Sequence, residues 1–380
     1  MNWFIIIFFL ILLCCGFIFD KSRILPFLIM GIFFIITCFS YDGNDFLNYS
    51  RMYKQVGEGI VVNYEVLFVL LMKFFNYIGF TYEQFRMAIV IIELIFIYST
   101  VKKYVPYSSF MWVLFLIYPG WLLTTLLRHS IALSIIVFSI RYIPSGKDDK
   151  KNTVKLLGCI VSASLVHSSY WVFLTFLLTK IFEPKKILKI AIISVSAMGI
   201  LVIVFGNISP IIEIISLLPI RTRLIEKYFN GYHQNIIGIL YICFRQVLLI
   251  CYGTIPVIFY NKRKNDEGKA TIYKEKNNLM NSIIVINYCS LFVLCESFFA
   301  SNSSRLNQVV FVIDLIAWAI CIGEYEFFGL RYTSKEKMLL KFIAIIMPFL
   351  FSILQCTFES QVVFDSVLKM IFETNTVLRW

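Results

Sequence analysis

Long apolar runs, separated by short links rich in lysine and arginine, make up most of the 380-residue chain. Many of these runs are about long enough to cross the ~30 Å hydrocarbon core of a bilayer as a helix. A lipid-facing strand would alternate apolar and polar residues, and these runs do not alternate, so we predict helices. The predicted spans are 3–19, 24–40, 86–101, 108–123, 128–143, 154–167, 168–181, 187–205, 236–260, 279–299, 307–323 and 338–356.

One further apolar run, 64–79, differs from the others because it contains Glu65, Lys73 and Asn76. Charged and polar side chains are costly on a helix that faces lipid. We therefore predict a helix over 64–79 that lies on the outer face of the membrane or re-enters it. It belongs to a large predicted outer loop, 41–85.

The basic residues predict which loops face the cytoplasm, because cytoplasmic loops of membrane proteins carry an excess of Lys and Arg. If 64–79 does not span, the loops that hold most of the 35 Lys and Arg residues all fall on one side. Both termini are then outside, 206–235 is a second outer loop and 261–277 is cytoplasmic. No polar stretch reaches the roughly 50 residues of a separate soluble domain, so residues 1–380 are predicted to form a single integral membrane domain.

Composition supports the membrane class. Hydrophobic residues make up 59% of the chain and charged residues 15%, whereas globular domains carry about 25% charged residues. The net charge of +12 comes from basic residues scattered over short loops, as membrane topology requires, so we exclude nucleic-acid binding.

The ten cysteines show no spacing typical of a metal site or disulfide framework, so we interpret them as small hydrophobic residues. The first run lacks the features of a cleaved signal, so we expect it to be retained.

Candidate chemical residues lie mainly in predicted outer loops or at the outer ends of spans. Asp42 and Asp45 follow the second span, where a partly dehydrated carboxylate can act as a general base, although a solvated turn also explains them. Arg128 opens a predicted helix against the helix dipole; its planar fork suits a lipid-linked diphosphate, and a snorkelling interfacial arginine is the alternative. His167 lies between two apolar stretches, where a functional role and a favourable helix C-terminus explain it equally well.

The remaining charged positions carry weaker signals. Loop 206–235 holds Arg221, Arg223 and His233 among aromatic residues, which suit sugar rings but also an interfacial belt. Arg305 is a lone predicted outer cation. Four ionisable residues inside predicted spans are expected to be paired within the bundle: Glu93, Arg245, Glu296 and Asp314. No nucleotide-binding, zinc or hydrolase motif supports ATP-driven transport or common hydrolase chemistry.

Three motifs occur in order along the first half: Gly43-Asn44-Asp45-Phe46-Leu47-Asn48-Tyr49 followed by Glu65, then Arg128-His129-Ser130-Ile131-Ala132, then His167-Ser168. Over residues 41–172 their order and spacing resemble the EpsG family. These are membrane proteins of exopolysaccharide, capsule and O-antigen gene clusters, regarded as Wzy-type polymerases and grouped with the GT-C membrane glycosyltransferases. The chain departs from the family pattern at His129, where Gln is usual, at Val66-Leu67, where Pro-Gly often follows the glutamate, and at Ser169-Tyr170, where Ser-Ala is usual.

Together with the about twelve transmembrane helices predicted above, the resemblance implies an all-α polytopic glycosyltransferase with a GT-C-like fold and a membrane-parallel helix in the first outer loop. It implies that Asp45 acts as the base. We expect Arg128 and His167 to stabilise a diphosphate leaving group as negative charge develops. Further residues are expected to bind substrate: Asp42, Tyr49, Glu65, His129, Arg221, Arg223 and Arg305.

The expected substrate is an undecaprenyl-diphosphate-linked oligosaccharide on the outer face of the bacterial cytoplasmic membrane. No soluble cofactor is needed, because the diphosphate carrier supplies the driving force; a divalent metal held by Asp42 and Asp45 is an alternative that rests on two carboxylates alone. The expected partners are a flippase of the same pathway and a chain-length regulator.

Two other functions remain open from the sequence. A flippase or other transporter of lipid-linked oligosaccharides would also have about twelve spans, and an outer-face ligase or acyltransferase would also be rich in Arg and His. A transporter should place its ionisable residues at the bilayer midplane. Most of the candidates in this chain lie at the predicted outer edge, which favours the polymerase.

Overall fold

The computed structural model describes residues 10–11, 14–19, 22–41, 44–105, 108–143, 149–205, 236–267, 274–297, 305–327, 334–355 and 375–377. These residues are helical and contain no β-strand, apart from an isolated bridge between Ser40 and Asn375. Their main helices are α1 (Leu25–Cys38), α2 (Asn44–Gly57), α3 (Val66–Tyr77), α4 (Tyr82–Tyr104), α5 (Ser109–Phe115), α6 (Leu127–Ser139), α7 (Lys150–Val166), α8 (Pro184–Phe205), α9 (Ile236–Glu267), α10 (Lys274–Ser297), α11 (Asn307–Phe327) and α12 (Ser334–Leu354).

The predicted spans from 24–40 onward all coincide with helical segments, whereas most of 3–19 lies outside the described residues. Three described helices are both long and apolar enough to cross a membrane: Tyr82–Tyr104, Ile237–Lys262 and Lys276–Cys295. Other described apolar helices are shorter, between 10 and 17 residues. The protein is therefore a helical membrane protein, and the number of twelve spans stays a prediction.

The predicted outer loop 41–85 contains two helices. The predicted helix over 64–79 is confirmed as α3, whose 12 residues give a length of about 18 Å, well short of the ~30 Å hydrocarbon core. Helix α2, within the polar stretch 41–63, was not predicted as a separate helix. Its positions 49, 52, 53 and 56 form one buried face with helical spacing. Because polar residues lie between these positions, the segment does not form a continuous apolar run.

Two predicted spans are not continuous α-helices. Within 108–123, α5 is followed by a kink at Leu116–Gly120, where Tyr118 has an extended backbone and Pro119 has no backbone N–H to continue the ladder. The predicted span 168–181 begins as a 3-10 helix, Ser168–Leu177.

Aromatic residues three apart explain the 3-10 helix. Tyr170, Phe173 and Phe176 are all buried, and successive ring centroids lie 5.3 and 5.2 Å apart. Because a 3-10 helix has three residues per turn, it places all three rings on one buried face. The prediction of a simple α-helix was wrong here because it ignored this period.

Helix α11 forms the core of the bundle. Every residue from 306 to 322 is buried, as expected for a helix that is apolar on all sides. It packs against α4, α5, α6, α9, α10 and α12. Helices α2 and α3 pack on each other and contact α4 and α7, respectively. The N-terminal ends of α6 and α11 meet near this pair of short helices.

Ionisable residues inside the bundle have mainly neutral partners. Asn287 donates a 2.7 Å hydrogen bond to Asp314, and Arg245 donates 3.0 Å bonds to Tyr118 and Gln355. The expected pairing inside the bundle is therefore confirmed for Asp314 and Arg245.

Glu93 differs from these two residues. It is fully buried beside Ser130 and forms no ion pair with a described residue. The Glu296 side chain lies outside the described part of the chain.

Gly253 on α9 faces the pair formed by Asn287 and Asp314, and a Cβ added there would overlap Asn287 Nδ2 and Asp314 Oδ1. We expect Gly253→Ala to lower the free energy of unfolding by about 1–3 kcal/mol, the usual effect of overpacking a filled core. The matched control is Gly158→Ala on α7, where nothing lies within 4 Å. It should raise stability by about 0.5–1 kcal/mol, because Gly is a poor helix former. Thermal unfolding of both purified variants in one detergent measures the difference, and shifts of the same sign would contradict this packing.

Candidate functional site

Arg128 lies in the first turn of α6 and is held by residues of α2 and of the link that precedes α3. Its Nη1 forms an ion pair with Glu65 Oε2 at 2.5 Å, and its Nε donates a 3.0 Å hydrogen bond to the Tyr49 hydroxyl. The guanidinium carbon lies 4.6 Å from the ring centroid of Tyr64, a cation–π distance. These contacts fix the plane of the guanidinium. Its Nη2 has no hydrogen-bond partner among the described residues and remains available to an anion.

Glu65 connects Arg128 to a third segment. Its Oε1 accepts hydrogen bonds from the backbone N–H and the hydroxyl of Ser168, both at 3.2 Å. Burial alone would raise the pKa of Glu65, but the Arg128 charge and the amide donors outweigh burial, so the pKa lies below its ordinary 4.5. Glu65 is therefore an ionised partner for Arg128 at neutral pH.

Asp45 lies in the first turn of α2, where the helix dipole favours a carboxylate. No hydrogen bond from a described residue reaches its side chain. Burial raises the pKa of Asp45 above its ordinary 3.8, and the nearby positive charges of Arg305 and Arg128 act in the opposite direction. Asp45 is thus a partly buried carboxylate of increased basicity, close to the charges of two arginines.

His167 ends α7 directly before Ser168. Its Nδ1 is buried and has no hydrogen-bond partner among the described residues. Arg128, Glu65 and Arg305 are all close enough to act on the charge of its ring. The imidazole therefore belongs to the same cluster, with one nitrogen that no described protein group occupies.

His129 lies behind Arg128 and is almost entirely buried. Its Nδ1 is 2.9 Å from the Tyr170 hydroxyl, which also donates to the His129 carbonyl, and its Nε2 is 3.1 Å from Gln308 Oε1. Both ring nitrogens are thus occupied by protein groups. His129 ties the start of α6 to the 3-10 helix and to α11, so the geometry suits support of the site better than contact with a ligand.

The structure brings together seven of the ten residues expected at the site: Asp45, Tyr49, Glu65, Arg128, His129, His167 and Arg305. The others, Asp42, Arg221 and Arg223, lie outside the described residues, as does His233. Among the described residues, no group of three His, Cys, Asp or Glu side chains could hold a metal ion. The described cluster contains two arginines, two carboxylates, two imidazoles and a phenol.

Three contributors to the cluster were not expected from the sequence. Tyr64 has no distinguishing signal beside Glu65, and Tyr170 differs from the family motif without indicating a role. Of the three, Gln308 has a sequence signal, because it is an amide at the start of an apolar run and lies three positions after Arg305.

Glu65→Gln keeps the shape of the side chain but removes the charge that pairs with Arg128. We expect the variant to be less stable than the wild type at neutral pH by about 1.5–3 kcal/mol, the range for a hydrogen bond to a charged group. Because the pKa of Glu65 is lowered in the fold, its contribution is present above 4.5 and is lost as the pH falls through the folded-state value. The stability gap between variant and wild type should therefore close on acidification.

Thermal unfolding across this pH range measures the gap. The matched control is Glu58→Gln. Glu58 and Lys54 form an exposed pair at 3.9 Å, and exposed pairs contribute little to stability. A gap for Glu65→Gln that is absent at neutral pH, or that widens on acidification, would contradict the assignment.

Comparisons with known proteins identify the family of this chain. The model of the EpsG family matches residues 22–365, which extends the motif resemblance over 41–172 into the second half of the chain. A search of curated proteins and a search of solved structures each found no match. EpsG proteins are membrane proteins associated with polysaccharide polymerisation. Because the family match covers most of the sequence and includes every described residue of the cluster, the chain belongs to the EpsG family.

Proposed function

We propose that this protein is a glycosyltransferase that polymerises a surface polysaccharide on the outer face of the bacterial cytoplasmic membrane. It transfers a growing glycan from undecaprenyl diphosphate to a sugar hydroxyl of a second lipid-linked repeat unit. The observation that carries the proposal is the pairing of unlike groups in one cluster. Arg128 has an amino group without a described partner, and Asp45 is a nearby carboxylate without one.

The leaving group accounts for the arginines. The bond between the anomeric carbon and the diphosphate oxygen breaks, and its electron pair leaves with undecaprenyl diphosphate. Arg128 is suited to the developing negative charge because its guanidinium is already oriented by Glu65 and Tyr49, and preorganised donors need no rearrangement in the transition state. Arg305, whose charge also acts on Asp45, adds a second positive charge.

The acceptor accounts for Asp45. The acceptor hydroxyl oxygen forms the new glycosidic bond, and its proton passes to the Asp45 carboxylate. Because burial raises the pKa of Asp45, this carboxylate is a stronger base than a solvated aspartate. The products are a glycan on the acceptor's carrier, longer by the transferred chain, and free undecaprenyl diphosphate.

His167 and Glu65 have supporting roles in this scheme. The His167 ring lies close to Arg128 and Arg305 and supplies an imidazole beside the proposed diphosphate position. Glu65 balances part of the positive charge while the site is empty and holds the Ser168 turn in place. A flippase of the same pathway would supply the substrate, and a chain-length regulator would limit the product.

A transporter of lipid-linked oligosaccharides is the second candidate, and one observation favours it. Asp314 is fully buried in the central helix α11, and its Oδ2 has no hydrogen-bond partner among the described residues. Ionisable groups of this kind near the middle of a bundle are typical of coupled transporters. The cluster around Arg128 lies at one end of α6 and α11, which is better explained by the polymerase.

Surface-polysaccharide length in a deletion strain tests the proposal. The deletion should leave a single-repeat product, and wild-type protein should restore long chains. Asp45→Asn removes the base, which typically contributes about 10²–10⁴-fold to rate. Arg128→Lys keeps the charge but loses the fork, and loss of one preorganised donor typically costs about 10²–10³-fold. Neither variant should restore long chains at normal protein levels.

The matched controls are Glu58→Gln and Arg51→Lys, because both residues are exposed and lie in or next to the same helix as Asp45. Both controls should restore long chains. Complete loss of surface repeat units in the deletion strain would favour the transporter. Long chains from Asp45→Asn and Arg128→Lys would remove these residues from the site.

A further inference from the structure

Arg86, in the second turn of α4, is a buried cation whose partners are not carboxylates. Its side chain is almost completely shielded from solvent, and it forms no ion pair with a described residue. Burying a charge costs several kcal/mol unless other groups compensate. The contacts that compensate this charge indicate what Arg86 does.

Two backbone carbonyl groups and one ring surround the guanidinium. Nη1 donates a 2.6 Å hydrogen bond to the Ser40 carbonyl, and Nη2 donates a 3.3 Å bond to the Thr124 carbonyl. The guanidinium carbon lies 5.2 Å from the ring centroid of Phe46. Ser40 lies just beyond the end of α1, and Thr124 directly follows the short helical turn Trp121–Leu123. Carbonyls at helix C-termini carry partial negative charge, which offsets the buried cation.

These contacts lie next to the two main residues of the candidate site. Phe46 follows Asp45 directly, and Ser40 precedes the segment that leads to Asp45. Thr124 lies four residues before Arg128. One planar guanidinium therefore bridges the chain segment that carries Asp45 and the chain segment that carries Arg128.

The Ser40 end of this bridge is also fixed from a different part of the chain. Asn375 donates to the Ser40 hydroxyl at 3.0 Å and to the Ile35 carbonyl at 3.1 Å. The Thr376 N–H donates to the Phe39 carbonyl at 2.9 Å. Because the end of α1 is held by the C-terminal segment, Arg86 connects Thr124 to a fixed point.

We propose that Arg86 is a positioning residue that sets the separation between Asp45 and Arg128. A guanidinium is suited to this role because its donors form a rigid planar fork, whereas a lysine ammonium is a point charge on a flexible stem. Arg86 is too deeply buried to bind substrate, so it acts through the two residues it positions. The consequence for catalysis rests on the proposed function, but the consequence for the two segments does not.

Hydrogen–deuterium exchange of the full-length protein in lipid nanodiscs tests the positioning directly. Arg86→Lys should raise exchange by about tenfold or more in peptides from α2 and from the 124–128 link, because backbone contacts that close these segments are lost. Peptides from α9 and α10 should be unchanged. The matched control Arg51→Lys, on the exposed face of α2, should leave all of these peptides unchanged.

Turnover of lipid-linked repeat units by the same variants supplies the second readout. Arg86→Lys should lower kcat by about tenfold or more with little change in KM, because small displacements of reacting groups reduce rate strongly. In the Asp45→Asn background, Arg86→Lys should cause a smaller further loss than in the wild type, since part of its effect passes through Asp45. Phe46→Leu removes the ring but keeps both hydrogen bonds, and should lower kcat by about two- to fivefold, as expected for a cation–π contact.

Each result decides between the alternatives. Unchanged exchange in Arg86→Lys, or a uniform rise throughout the bundle, overturns the positioning role. A rise in KM alone, or full additivity with Asp45→Asn, also overturns it. A local rise in exchange in a protein whose wild type does not polymerise repeat units would leave Arg86 as a positioning residue and refute the proposed function.

Discussion

Glu65 binds Arg128 through one carboxylate oxygen and the Ser168 turn through the other. Arg128 follows Glu65 by 63 residues and Ser168 follows it by 103. Three segments that are distant in sequence therefore meet at the Glu65 side chain. Removing this carboxylate would leave a partly buried guanidinium without its counter-charge and would release the turn that carries His167. The arrangement of the other site residues depends on this contact, because Arg128 also orients Tyr49 and lies close to Asp45.

The helical bundle explains why the contact is stable. Helix α11 is buried along residues 306–322 and packs against both halves of the protein. At its N-terminal end, Gln308 contacts His129, directly behind Arg128. Arg305 begins the same helical segment and faces Asp45. The N-terminal end of α11 thus contacts the cluster through Gln308, while Tyr49 of α2 and Glu65 before α3 bind Arg128.

Much of the fold follows from local patterns, because long apolar runs in this chain can only be satisfied as helices inside a membrane. Several residues of the cluster were also expected from the sequence, since Arg128 opens a helix against its dipole and His167 lies between two apolar runs. Other features depend on tertiary packing. The contact between His129 and Gln308 joins residues 179 positions apart. The position of Arg86 in the sequence is that of an ordinary interfacial arginine, so its buried contacts are not predictable from the sequence. Helix α2 was missed because its buried face is interrupted by polar residues, and the 3-10 helix because its period is set by aromatic packing.

The most direct test of the central claim is to supply purified protein in proteoliposomes with undecaprenyl-diphosphate-linked repeat units as the only substrate. Glycan length and free undecaprenyl diphosphate would be measured together over time. If the cluster around Arg128 transfers glycans, undecaprenyl diphosphate should appear in proportion to the glycosidic bonds formed. Movement of the lipid-linked units across the bilayer without release of undecaprenyl diphosphate would contradict a polymerase and identify a transporter.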